Sequence, residues 1–319
     1  MEILKGAEVL LTTCSNCGKD EKIAIVTDPT SYEAAKALYD AAKDFKNKSL
    51  LLMDERNMHG QEPTDLIAAA MLEADVIFGA TKFSLFHSNA RRKAVEAGAR
   101  FVNMADYDVD MLKSGGLFAD FEKIGETCTK IAEVLEGKKT CTVTSKNGTN
   151  FTCSIADRAP NPQYGRSLKK NSSSSPPDIE CATCAVENTG NGIIVVDGSI
   201  PHPLLGVIKE PITLTVENSL VTKVEGGKEA EILKKIWEEA NDPNVYNIGE
   251  IGIGLNDECA LIGKMLEDEG CYGTLHFGAG DNIGFGGKVK SKYHLDLIIK
   301  NPNMSVDGVK ILVDGNVVL

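Results

Sequence analysis

Between residues 22 and 136, short apolar runs alternate with segments of helical periodicity, and that alternation leaves few folds open. The apolar runs cover residues 23–27, 50–53, 75–79 and 100–104; the helical patterns cover 31–45, 64–72, 88–97 and 118–135. A parallel partner strand is reached only through a long crossover, so strands separated by helices imply a doubly wound parallel sheet. An N-terminal α/β domain over residues 1–138 is therefore expected. Such a domain often binds a dinucleotide through a glycine-rich turn after its first strand. Here Thr27-Asp-Pro-Thr30 follows that strand, and no dinucleotide is assigned.

Around Thr140 the pattern changes to two alternating runs on either side of Asn147-Gly148, a strong hairpin signal. Further strands are expected at 192–196, 212–216, 220–224 and 310–313, with Asp-Gly turn pairs at 197–198, 307–308 and 314–315. Helices are expected at 229–240, which carries the sole tryptophan, Trp237, and at 258–267. Residues 139–319 thus read as a strand-rich α+β domain. The polar stretch 169–177 reads as a mobile loop leading into Glu180. Two domains also suit a chain of 319 residues with 42% hydrophobic content.

A net charge of −12, with no basic stripe, argues against nucleic acid as a partner. No apolar run reaches the ~18 residues of a membrane span, and the first residues lack an export signal, so a soluble cytoplasmic protein is expected. Nine cysteines then read as free thiols or metal ligands rather than as a disulfide framework. Two pairs, Cys14/Cys17 and Cys181/Cys184, have ligand spacing, but they lie too far apart for a usual four-cysteine zinc site and read as loop thiols.

The chemistry concentrates near the C-terminus. In Tyr293-His-Leu-Asp296, a strand would turn His294 and Asp296 to one face while Leu295 and Leu297 anchor the other. His276, eighteen residues earlier, would complete two imidazoles and a carboxylate, a set that suits non-haem iron and several zinc hydrolases. Eleven of the thirty glycines fall between Gly249 and Gly287, where they serve either a tightly turned site or plain hairpin loops. Glu250 sits among apolar residues, where a carboxylate needs a cation or an ion pair; on a strand it would share a face with Ile248 and Gly252. Glu180 is a further ligand candidate, with a solvated glutamate as the alternative. His202, in a loop held by two prolines, is a candidate acid/base group or an exposed loop histidine, whereas His59 and His87 belong to the first domain.

These stretches resemble the superfamily that joins the aminopeptidase T metallopeptidases with the 2,5-dihydroxypyridine 5,6-dioxygenases. The resemblance covers most of the chain and is strongest from Glu180 onward. It is carried by Asn191-Gly-Ile-Ile-Val-Val-Asp-Gly-Ser199, Gly249-Glu-Ile-Gly-Ile-Gly-Leu-Asn256, Gly273-Thr-Leu-His276 and His294-Leu-Asp296. In the peptidase branch two glutamates, two histidines and an aspartate hold two metal ions; by motif these would be Glu180, Glu250, His276, His294 and Asp296. The dioxygenase branch implies a single ferrous ion held by a histidine and carboxylate set from the same end of the chain. The peptidases carry a catalytic tyrosine shortly after the counterpart of His276, and Phe277-Gly-Ala-Gly-Asp-Asn-Ile283 has none.

The resulting expectation is a mononuclear metal enzyme, with Fe2+, that opens a small hydroxylated heteroaromatic ring. His276, His294 and Asp296 would hold the ion, Glu180 or Glu250 would add a ligand or general base, and His202 a proton shuttle. The alternatives are a two-metal aminopeptidase using Zn2+, Co2+ or Mn2+, and a non-catalytic metal- or ligand-binding protein. The resemblance also implies a small-molecule substrate and a homo-oligomer.

Overall fold

The N-terminal alternation of strand and helix folds as its periodicity dictates. The computed structural model describes residues 2–319. One unit comprises Met1–Phe121 and Tyr164–Asp178, the other Glu122–Gln163 and Ile179–Leu319. The sheet of the first unit runs in the order Asn47–Leu52, Lys22–Thr27, Val76–Ala80, Arg100–Asn103, Ser172–Ser174, with every neighbouring pair parallel. Its third and fourth strands are buried at every position, as befits strands covered on both faces. Ile67 and Met71 from the helix Asp65–Leu72, and Ala90 and Ala94 from Asn89–Glu96, share a core with Ala24, Val26, Ile77 and Phe101.

Asp28 accounts for the missing glycine turn. Its buried carboxylate accepts from the amides of Thr30, Ser31 and Lys82, just ahead of the helix Tyr32–Ala41. Where nucleotide folds seat a phosphate, this chain seats its own anion.

Two segments differ from expectation in this unit. The polar stretch 169–177 is not a loose loop: Ser172–Ser174 pairs in parallel with Arg100–Val102. A ladder needs only backbone groups, and side chains fix both ends of the segment. The Asn171 amide donates to the carbonyls of Val95 and Glu96, and the Tyr107 hydroxyl donates to the Pro176 carbonyl. Before the first strand, a helix Glu2–Val9 continues into a π turn, Leu10–Cys14, that buries Leu10, Leu11 and Cys14.

The second unit carries two antiparallel sheets. The larger runs Leu220–Glu225, Ile212–Glu217, Asn191–Val196, Asn150–Ser154, Thr140–Thr144, Asn303–Val306, Val309–Val313, Asn316–Val317. The Asn147-Gly148 turn joins its two central strands, with Cys141 opposite Cys153. The smaller sheet runs His294–Lys300, Thr274–Gly280, Ile248–Gly254, Glu180–Cys184, Asn161–Gln163. Phe277, on one face of the smaller sheet, meets Phe151 of the larger edge to face, with ring centroids 5.2 Å apart.

The expected helix at 258–267 shrinks to one turn, Met265–Asp268. The carboxylate of Asp268 takes the amides of Ile262 and Gly263, and Asn256 Oδ1 takes that of Glu258. These side chains compete with helical bonding for the same donors. All nine cysteines are free thiols, and Cys181 and Cys184 lie in a buried strand rather than in a loop. No helix among the described residues is long and apolar enough to cross a membrane.

Candidate metal centre

Four neighbouring strands of the smaller sheet bring the candidate ligands to one face. Residues directly opposite in antiparallel strands share a face. Glu180 faces Gly254; His276 faces Gly252; Gly278 faces Glu250 on one side and Asp296 on the other; Gly280 faces His294. Ligands and glycines therefore alternate across the strands. A Cβ on Gly252 would lie 2.1 Å from His276 Nε2 and 3.0 Å from Glu180 Oε2. One on Gly278 would lie 2.6 Å from His294 Cε1 and 2.7 Å from Glu250 Cβ. The absent side chains are what let the imidazoles and carboxylates lie across the sheet toward each other.

The glycines at 278 and 280 thus belong to a strand rather than to a hairpin loop. Ile248, expected on the Glu250 face, is displaced from it. It pairs with Ala279 while Glu250 pairs with Gly278, so the register shifts at Gly249 and Ile248 turns to the other side. That opposite face carries Ile251, Ile253, Leu275, Phe277, Leu297 and Ile299, all buried, which fixes the register of the ligand face.

The five side chains form two overlapping groups, Glu180/Glu250/His276 and Glu250/His294/Asp296, with the ligand atoms of each within 4.8 Å of one another. His276 Nε2 lies 3.0 Å from Glu180 Oε2 and 3.7 Å from Glu250 Oε1. His294 Nε2 lies 2.8 Å from Glu250 Oε2 and 3.3 Å from Asp296 Oδ1. Glu250 thus offers one oxygen to each group. The His294 side chain is 27% exposed while the other four are at most 7% exposed, so solvent meets the cluster at His294. His294 Nδ1 donates to the Asp281 carbonyl at 2.7 Å, which leaves Nε2 as the ligand atom of the neutral ring.

Burial and mutual charge shift the protonation of the cluster. Burial lifts the Glu180 carboxyl above its ordinary range, an effect that His276 offsets only in part. Burial would lower His276, but Glu180 and Glu250 raise it well above the ordinary imidazole value. His294 is raised likewise, with Asp296 and Glu250 outweighing burial. Asp296 is held well below the carboxylate range because His294 overcomes the cost of burial.

The residues fit a divalent cation. Glu180 Oε2, Asp296 Oδ1 and His276 Nδ1 are buried without an aligned hydrogen-bond partner. Buried carboxylates in that state are costly unless a cation meets them. Imidazole and carboxylate donors suit iron, zinc, manganese or cobalt.

His202 belongs to neither group. It follows the short strand Ser199–Ile200, its Nδ1 accepts from the Leu204 amide, and burial lowers its pKa. His59 lies in the first unit, where its Nδ1 accepts from the Ser84 amide, and His87 lies there too, against Phe86. Sequence reasoning missed Asp281, whose carbonyl orients His294, and Phe285, whose ring stacks on the His294 imidazole at 5.2 Å. It also missed the placement of Gly252 and Gly278. Glycines two residues from Glu250 and His276 were the available signal.

Comparison with known proteins identifies the family and the fold. Residues 7–319 match the family described as 2,5-dihydroxypyridine 5,6-dioxygenase. The 2,5-dihydroxypyridine 5,6-dioxygenase of Pseudomonas putida is 30% identical over 246 residues, covering 73% of this chain and 69% of that protein. A solved structure of 2,5-dihydroxypyridine dioxygenase from Pseudomonas putida KT2440 superposes with a TM-score of 0.82 at 23% identity, covering 99% of this chain and 96% of the other. Wild-type AmpT from Thermus thermophilus shares the fold at a TM-score of 0.71 and 14% identity, covering 100% and 99%. A match over nearly the whole length makes this chain a member of the 2,5-dihydroxypyridine 5,6-dioxygenase family.

Proposed function

We propose that this protein is a metal-dependent, ring-cleaving dioxygenase that acts on a small hydroxylated heteroaromatic ring, with Fe2+ as its metal. The observation that carries the reading is the convergence of two imidazoles and three carboxylates on one sheet face, with buried carboxylate oxygens that have no aligned hydrogen-bond partner. Family membership supports the substrate class. His276, His294 and Asp296 would hold the ion, with Glu250 and Glu180 beside them. When bound, ferrous iron supplies Lewis acidity toward a ring hydroxyl and electrons toward oxygen.

The residues themselves handle position and protons. His294, the exposed member, marks where a substrate would approach, and its Nδ1–H bond to Asp281 keeps the ring from rotating. Glu180, whose carboxyl burial raises above its ordinary range, would be the proton acceptor for a ring hydroxyl and would return the proton later. Asp296 stays ionised and fixes the charge beside His294. The apolar residues behind the sheet keep water from that side.

One feature favours a second reading. Glu250 directs its two oxygens to different histidines, an arrangement suited to a carboxylate between two ions, as in a two-metal aminopeptidase. Metal content per chain, measured on protein purified without oxygen and without a metal-binding tag, separates the two. About one iron, with oxygen uptake on adding 2,5-dihydroxypyridine, supports the first reading. Two equivalents of zinc, cobalt or manganese with cleavage of aminoacyl substrates would replace it with the second.

A further inference from the structure

Beyond the five candidate ligands, one partly buried ion pair points at the site without touching it. Arg158 follows the strand Asn150–Ser154, and its side chain is only 10% exposed. Its guanidinium donates to Glu187 Oε2 at 2.6 Å and, through the other terminal nitrogen, to the Gly286 carbonyl. Glu187, just beyond the strand that carries Glu180, accepts the Lys288 amide on its second oxygen at 2.7 Å. Both members of the pair therefore grip the same loop, one at residue 286 and the other at residue 288.

That loop carries Phe285, whose ring stacks on the His294 imidazole with 21° between the planes. The loop is also pinned at its ends. The Asp281 carboxylate accepts the Ile283 and Ser291 amides, and the Asn282 side chain accepts the Val289 amide. The Nε of Arg158 is buried without a hydrogen-bond partner among the described residues. A buried guanidinium that leaves a donor unsatisfied is a costly way to tie down a surface loop. Its placement makes sense if what it holds in register is the aromatic ring on the histidine.

We infer that Arg158 and Glu187 are positioning residues for the metal centre, acting through residues 282–288 to seat Phe285 on His294 and so fix the direction of its Nε2. The imidazole is then held on two sides: the Asp281 carbonyl bonds its edge and Phe285 covers its face. Partners outside the ligand shell that orient a ligating histidine commonly change metal affinity by roughly 10–100-fold. His294 is the most exposed of the five and has the most freedom to lose.

The proposal rests on the metal-centre reading but not on ring cleavage, so it is tested with Co2+ alone. Binding is followed by the visible absorption of the bound ion, and the melting temperature of the metal-free protein serves as a folding control. The variants are Arg158→Gln, Glu187→Gln, Phe285→Leu and Phe285→Tyr. Arg158→Gln and Phe285→Leu should weaken Co2+ binding by ~10-fold or more and alter its spectrum, with the metal-free melting temperature little changed. Phe285→Tyr, which keeps the ring, should restore wild-type binding. If Arg158→Gln does not fold, Phe285→Leu decides, because Phe285 is only partly buried. Wild-type affinity and spectrum in Phe285→Leu would overturn the proposal. A wild-type protein that binds no Co2+ would overturn the metal centre itself, a distinct result.

Discussion

Gly252 lies directly across the sheet from His276, and the imidazole fills the space that a side chain at residue 252 would take. Gly278 lies across from Glu250 and Asp296, and the side chains of His294 and Glu250 fill the space that a side chain there would take. The site is thus defined as much by missing Cβ atoms as by the groups that would bind a cation.

Gly252→Ala and Gly278→Ala should therefore lower metal affinity without removing any ligand. The new methyl would lie 2.1 Å from His276 Nε2 in the first variant and 2.6 Å from His294 Cε1 in the second, so the rings must move. A loss of ~10-fold or more is expected, comparable with the removal of an orienting partner. Calorimetric titration with Co2+ checks it. Gly18→Ala, in the first unit at a position where a Cβ meets nothing closer than 3.4 Å, is the control.

Removing a ligand should have a larger effect and should also report the number of ions. His294→Ala takes one member from one group, whereas Glu250→Gln weakens both because Glu250 belongs to each. If one ion is bound through His294 and Asp296, both variants lose nearly all metal. If two ions are bound, His294→Ala retains about one equivalent and Glu250→Gln retains less. Full occupancy and activity in His294→Ala would remove His294 from the site.

The metal-free protein should lose stability as pH rises from 6.5. His276 and His294 are raised above the ordinary imidazole value of 6.5 by their carboxylate neighbours. Their contribution is complete below 6.5, where both folded and unfolded chains hold the protons. It disappears as pH climbs through the raised folded values, because only the folded chain then still holds them. Bound metal displaces those protons, so the decline should vanish in the metal-loaded protein and metal affinity should rise with pH. Melting curves with and without metal, across neutral to alkaline pH, test both statements.

Metal should also stabilise the fold at fixed pH. At a free concentration 100 times its dissociation constant, an ion that binds only the folded chain adds about 2.7 kcal/mol. A chelator should return the melting temperature to the metal-free value. No shift in either direction would mean that the five side chains compensate one another's charge without a cation.

Most of this architecture can be read from the chain because it rests on periodicity. The parallel sheet follows from apolar runs at intervals set by crossover helices, and the His294/Asp296 pair follows from the two-residue repeat of a strand. The exceptions come from side-chain and backbone contacts that periodicity does not register. Ser172–Ser174 has the composition of a loop, yet it pairs through its backbone with a strand 72 residues earlier in the register Arg100 to Ser172. The helix expected at 258–267 gives way to the carboxylate of Asp268, whose preference for nearby amides cannot be weighed from propensity alone. The hold of Phe285 on His294 depends on Arg158, more than a hundred residues away, and no local pattern marks it.

The serine strand at residues 172–174 also has a consequence for biosynthesis. The chain leaves the first unit at Phe121, builds a hairpin and an edge strand of the second, and only then returns to supply the last strand of the parallel sheet. During vectorial synthesis the strand Arg100–Asn103 therefore emerges long before its outer neighbour and presents an unpaired edge to solvent or to a chaperone. For the same reason no single cut in the polypeptide can release either unit whole, and a gene fragment ending near residue 138 would encode a sheet that is one strand short.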